Sequence, residues 1–181
     1  MHICFITSEF PKTGYAHGGV GTFIATLSKA LVVKGVQVTV IGLNYTSKEE
    51  VELIDGVKVY RLASKKVKGL QWYFNSKVIA NKIKEVHTAQ NIDFVETTEL
   101  GLAFLPKLKG IQYVIRMNGG HHFFAQAENR PTEWWKVFQE KRSFQKADHI
   151  LAVSSYVGET TRTLVQLGER PIHIIYNPID A

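Results

Sequence analysis

Short apolar runs rich in β-branched residues recur along the chain, separated by stretches of helical periodicity. HICFITS (2–8), VQVTVIG (36–42), VKVYRL (57–62), IDFVETT (92–98), QYVIRMN (112–118), HILAVS (149–154) and IHIIYN (172–177) read as strands. Most are nearly continuous apolar runs rather than alternations, as expected of strands covered by helices on both faces of a parallel sheet. Between them, residues 20–35 place Phe23, Leu27 and Leu31 on one stripe, with Ala30 one step offset and Gly35 as the stop. Residues 69–90 carry Trp72, Ile79, Ile83 and Val86 on one side, and Lys77, Lys84 and Glu85 towards the other. A third helix is expected from Thr132 as N-cap, with Glu133 at its positive end and Trp134 and Phe138 four apart. A fourth begins after Ser154 and closes at Gly168.

This alternation predicts an α/β fold, a Rossmann-like doubly wound parallel sheet of about seven strands. No internal repeat or low-complexity linker interrupts it, so residues 1–181 read as one domain. The ending IIYNPIDA puts the Asn177–Pro178 turn directly after a strand, which reads as a domain boundary with a further domain expected beyond it.

Composition narrows the class only a little. Hydrophobic residues at 45% and charged residues at 21% are ordinary for a soluble globular chain. The formal charge of +6 favours anionic company such as phosphates, nucleotides or anionic lipid. A nucleic-acid partner is not expected, because no reader motif is present. Cys4 is the single cysteine and lies in an apolar run, so it reads as a small buried hydrophobe in a reducing, cytoplasmic protein. There is no signal-peptide pattern, and no apolar run approaches the roughly 20 residues that span a bilayer. Contact with a membrane, if any, would be peripheral and at its inner face.

The chemistry gathers where strands end. PKTGYAHGGVGTF (11–23) lies between the first strand and the first helix. Gly18, Gly19 and Gly21 there permit positive φ and bring backbone N–H groups within reach of an anion, and the helix that follows adds its positive end. The loop is not the dinucleotide fingerprint. It is long, contains Pro11, and the second strand ends in Asn44 and Tyr45 where a nicotinamide site would want a carboxylate. A nicotinamide oxidoreductase or epimerase fragment and a non-catalytic α/β binding module remain as alternatives. Arg116, inside an apolar strand, needs a partner if buried, and Glu99 or an anionic ligand would serve.

Strand ICFITSEF, loop GYAHGGVGTFIATLSKALVVKGVQVTVIG, VIRMNGGHHFF, KADHILAVSSYV and the ending IIYNPID together resemble the N-terminal half of GT-B glycosyltransferases of the retaining family-4 type. The resemblance implies an acceptor-binding half of an enzyme that moves a sugar from a nucleotide-sugar donor to a saccharide or lipid-linked acceptor. It further implies a C-terminal donor-binding domain, no metal, no cofactor, and little activity for this half alone. No two glutamates have seven residues between them as that second domain would have them, which places it outside this chain. Gly18 and Gly19 match the family's glycine pair beside the donor diphosphate, and Gly21 joins them as a phosphate contact. Asn118 stands where the family commonly has a histidine near the donor sugar, and His121 or His122 could fill that place; Asn118 and His121 are the expected catalytic residues. Lys12, Tyr15, His17, Glu99, Arg116 and His122 are expected to meet the acceptor. The family points to polysaccharide or glycolipid biosynthesis.

Residues 63–84 add Lys65, Lys66, Lys68, Lys77, Lys82 and Lys84 around Trp72, Tyr73 and Phe74. Basic and aromatic side chains together suit a peripheral membrane contact, although the same residues also suit a solvated helix packed on a sheet.

Overall fold

The computed structural model describes residues 1–177, so the expected Asn177–Pro178 turn lies partly outside the described residues. In chain order the elements are β1 (His2–Ile6), α1 (Gly19–Val33), β2 (Gln37–Leu43), β3 (Glu50–Ile54), β4 (Val57–Leu62), α2 (Gln71–Ala89), β5 (Phe94–Thr97), β6 (Gln112–Met117), α3 (His121–Ala127), α4 (Trp134–Lys146), β7 (His149–Ala152), α5 (Ser155–Val165) and β8 (His173–Ile174). The strands form an eight-stranded sheet in the order β3-β4-β2-β1-β5-β6-β7-β8. It is an α/β fold with a mostly parallel sheet, as the alternation of apolar runs and helices requires. The chain divides into two compact units: Met1–Val95 with Leu108–Ile111, and Glu96–Lys107 with Gln112–Asn177.

In the first unit β1 pairs in parallel with β2, Cys4 opposite Thr39, and β2 pairs in parallel with β4, Val40 opposite Val59. Phe5, Phe10, Phe23, Ile24, Val38, Val40, Val57 and Val59 form a buried cluster, against which Leu27 and Leu31 of α1 pack. Ala30 is exposed, so the helix turns Ile24 and Ser28 inward instead. Strand β3 was not among the strands expected from sequence. It pairs antiparallel with β4 through a two-residue turn, Asp55 at φ 49° and Gly56 at φ 80°. Two left-handed residues in a row are what a tight hairpin demands, and Asp-Gly supplies them. That dipeptide between alternating residues was the available signal.

In the second unit β6, β7 and β8 pair in parallel, with Ile115 opposite Ile150 and Ala152 opposite Ile174. Tyr113, Ile115, Met117, Phe144, Ile150 and Ala152 are buried. Ser154 caps α5 as expected, its Oγ accepting the Val157 N–H at 3.2 Å. The helix ends in left-handed Gln166, two residues before Gly168. Helix α4 does not start on Thr132. Its N-cap residue is Glu133, whose N–H donates to His121 Nε2 at 2.8 Å. Helix α3, which carries that histidine, was not among the helices expected from sequence.

Candidate functional site

Two groups of residues carry the candidate chemistry, one in each unit. In the first unit the 7–18 loop leads from β1 into α1. Gly18 is the N-cap residue of α1 at φ −87°, and none of Gly18, Gly19 and Gly21 has a positive φ. Left-handed freedom is therefore not why these glycines are needed; room is. A Cβ on Gly21 would sit 1.9 Å from the Glu9 carbonyl oxygen, so Gly21 lets α1 close onto its own loop. A Cβ on Gly18 would lie 2.5 Å from Glu9 Oε2, whereas Gly19 borders open space. Helix α1 has no side-chain cap and no acidic residue in its first turn. Its leading N–H groups keep their partial positive charge, and the exposed Glu9 carboxylate is the anion nearest to Gly18.

The residues expected to meet an acceptor on this loop are partly engaged with one another. Lys12 to Tyr15 forms a turn, with Gly14 at φ 81° and the Tyr15 N–H on the Lys12 carbonyl at 3.1 Å. Lys12 pairs with Glu50 and approaches Asn44 Oδ1 at 3.4 Å. That ammonium is the chief cause of Glu50 titrating below the usual carboxylate range. Tyr15 stacks on Tyr45 with ring centroids 4.9 Å apart and planes 17° from parallel. The loop is thus pinned to the β2–β3 connection with two half-exposed rings on its surface. His17 is exposed. Asn44 gives its Nδ2–H to the Lys48 carbonyl at 2.7 Å and is buried, so its amide is engaged within the β2–β3 connection.

The second group surrounds the turn after β6. Asn118 directly follows that strand, and its Nδ2–H bonds the Arg116 carbonyl at 3.2 Å. Gly119 sits at φ 100°, a left-handed conformation that favours glycine. Arg116 is paired with Glu96, Nε to Oε1 at 2.6 Å, and not with Glu99 as expected. Glu96 lies within β5, while Glu99 lies beyond its end and accepts the Asn118 N–H at 2.6 Å. Burial lifts the Glu99 carboxyl to about 7, with nearby Glu140 adding to the shift. Glu99 is 5% exposed, so it sits under the turn rather than in solvent.

His121 and His122 are both buried on α3. His121 Nε2 accepts the Glu133 N–H, and burial, with Lys136 and Arg130 nearby, holds its pKa below the usual histidine value. That nitrogen is committed to starting α4. His122 Nδ1 bonds Glu140, a residue of α4 that the sequence reading passed over. Glu140 stands on the stripe of Val137 and Phe144, and a charge in that register was the signal of a buried acid. Among the described residues, no group of three or more His, Cys, Asp or Glu could hold a metal ion.

Along residues 63–84, Lys65, Lys66, Lys68 and Lys77 are exposed, as are Val67, Leu70 and Tyr73. Trp72 and Phe74 are half-buried and meet Tyr73 edge-on. Among the described residues no helix is long and apolar enough to cross a membrane.

Sheet, helix placement and glycine loop define an α/β domain of the type found in GT-B glycosyltransferases. The family model "Glycosyltransferase Family 4" matches residues 17–181, and the chain belongs to that family. No curated protein sequence matches it. Among solved structures it is similar to a sucrose-phosphate synthase from Thermosynechococcus elongatus: TM-score 0.78, 15% identity, 97% of this chain and 47% of that one covered. A glycosyltransferase from Rickettsia africae matches with TM-score 0.60 and 17% identity over 97% of this chain and 42% of that one. A UGT transferase from Siraitia grosvenorii in complex with UDP matches with TM-score 0.55 and 10% identity, over 97% and 47% respectively. The chain therefore spans less than half the length of each of these three.

Proposed function

We propose that this chain is the acceptor-side half of a retaining, nucleotide-sugar-dependent glycosyltransferase acting on a saccharide or glycolipid acceptor in polysaccharide or glycolipid biosynthesis. A donor-binding second half completes the enzyme, and neither a metal nor a cofactor takes part. The observation that carries this reading is the uncapped N-terminus of α1, where Gly19 borders open space and Gly18 lies against the Glu9 carboxylate. In the transfer the bond from the anomeric carbon to the diphosphate breaks, and its electron pair leaves with the phosphate oxygen. An acceptor hydroxyl oxygen forms the new bond to that carbon and gives its proton to the departing phosphate or a nearby carboxylate. Fixed N–H dipoles favour the charge that develops on the diphosphate. For the diphosphate to approach, the exposed Glu9 carboxylate turns aside.

In the first unit, the Tyr15–Tyr45 surface with Lys12 and His17 offers stacking and hydrogen bonds to a sugar acceptor; in the second, taken by itself, Asn118 offers a hydrogen bond that needs no proton transfer. A peripheral contact of residues 63–84 with the inner face of a membrane would bring a lipid-linked acceptor within reach. The test is calorimetry of the chain with a panel of nucleotide sugars and with NAD, alongside amide shifts at Gly18–Gly21. Shifts there with nucleotide sugars support the reading; binding of NAD alone replaces it with the oxidoreductase alternative.

A further inference from the structure

We propose that Glu99 and Glu140 are positioning residues, a pair of buried carboxyls that close on the Asn118–Gly120 turn from two elements and set the direction of the Asn118 side chain. Glu99 Oε1 takes the Asn118 N–H at 2.6 Å, and the adjacent Gly119 N–H also points to this carboxyl. From α4, Glu140 is fully buried and accepts from His122 twice, at the backbone N–H (3.3 Å) and at Nδ1. Its other oxygen, Oε1, has no hydrogen-bond partner among the described residues. That oxygen lies where a side chain on Gly120 would begin: a Cβ there would come within 1.8 Å of Glu140 Oε1 and 3.1 Å of Glu99 Cγ. Gly120 is therefore the gap that lets both acids pack against the turn, Glu99 bonding its backbone and Glu140 holding His122 just beyond it.

Two buried carboxyls, met among the described residues only by backbone N–H groups and the His122 ring, are a costly way to fill a core, since apolar side chains would fill it without desolvating charge. What they provide here is direction. With the turn held from below, Asn118 Nδ2 is fixed on the Arg116 carbonyl, leaving Oδ1 turned away as an acceptor with no protein partner among the described residues. An oriented amide oxygen takes a hydrogen bond from a hydroxyl, the commonest group on a sugar. This last step rests on the glycosyltransferase reading; the clamp itself does not.

Amide hydrogen exchange and histidine ring nitrogen shifts, recorded on the labelled 181-residue chain without ligand, test the clamp. At pH 8.5, above the Glu99 titration near 7, the Asn118 and Gly119 amides of Glu99→Gln should lose protection about tenfold or more, the effect of weakening a charge-assisted bond. The separated Asn118 side-chain amide resonances should merge in the same variant, while amides of β1, β2 and β4 keep their wild-type exchange. Glu140→Gln should move the His122 Nδ1 shift and loosen residues 120–122. If that variant does not fold, Gly120→Ala, which pushes Glu140 away from the turn, gives the same reading. Unchanged Asn118 protection in Glu99→Gln, or an unmoved side-chain amide in both Glu99→Gln and Gly120→Ala, overturns the proposal. Because no sugar or nucleotide enters the measurement, failure of the glycosyltransferase reading would leave this result standing, and the reverse.

Discussion

Arg116 and Glu96 meet at 2.6 Å, Nε to Oε1, with 6% and 12% of their side chains exposed. Arg116 also reaches the Ile175 carbonyl at 3.3 Å. A cation inside an apolar strand is tolerated here because its charge is met within the same unit. Removing one partner strands the other, so Arg116→Met or Glu96→Gln should each cost about 3–5 kcal/mol. The double variant should cost clearly less than the sum. Urea unfolding of the four proteins measures the coupling, and additive losses would mean the pair does not act as one.

Stability should respond to Glu99. Burial raises its carboxyl from 4.5 to about 7 in the folded chain. Between those values the folded state holds a proton that the unfolded state releases. The stabilisation is therefore complete below pH 4.5 and lost as pH rises through about 7, on the order of 3 kcal/mol. Urea midpoints taken across that range should fall with pH in the wild type, and this part of the slope should be missing in Glu99→Gln. An equal slope in the variant would assign the effect to other groups.

The glycines of the first loop should separate by role. Gly21→Ala would drive a methyl onto the Glu9 carbonyl, 1.9 Å away, and backbone cannot move aside cheaply. It should cost at least about 2 kcal/mol and broaden the 7–18 amide signals. Gly19→Ala meets open space at the start of α1 and should be neutral or stabilising by up to about 1 kcal/mol. Thermal melts distinguish the two, and equal losses would refute the packing role of Gly21.

Glu9 should oppose anion binding at α1. Its carboxylate lies where a Cβ on Gly18 would be, beside the positive end of the helix. Glu9→Gln should strengthen the response of the Gly19–Gly21 amides to inorganic pyrophosphate, and added salt should weaken it. No response in either protein would remove the anion site.

The basic aromatic segment makes a separate prediction. With Lys65, Lys66, Lys68 and Lys77 in solvent beside Tyr73, the chain should co-sediment with anionic liposomes at low salt and leave them at high salt. Glutamate at Lys65, Lys66 and Lys68 should abolish this. Absence of binding at low salt would leave the segment as a solvated helix packed on the sheet.

Most of the framework was legible in the chain itself. VKVYRL became β4 with the same ends, and Ser154 capped its helix, because strands covered on both faces and short capping side chains leave local signatures. Strand β3 escaped because an edge strand is only half-buried and spells no apolar run. Helix α3 escaped because its histidines look polar until something buries them.

Sequence alone determined the α/β alternation, the resemblance to the family, and the glycine-rich entry to the first helix, since periodicity and backbone freedom are written locally. Tertiary structure decided what the polar residues do. It gave Arg116 to Glu96, His121 to the start of α4, and Glu99 with Glu140 to the Asn118–Gly120 turn. A buried charge takes whichever partner lies within reach, and reach across a sheet or between helices is set by packing, not by spacing along the chain.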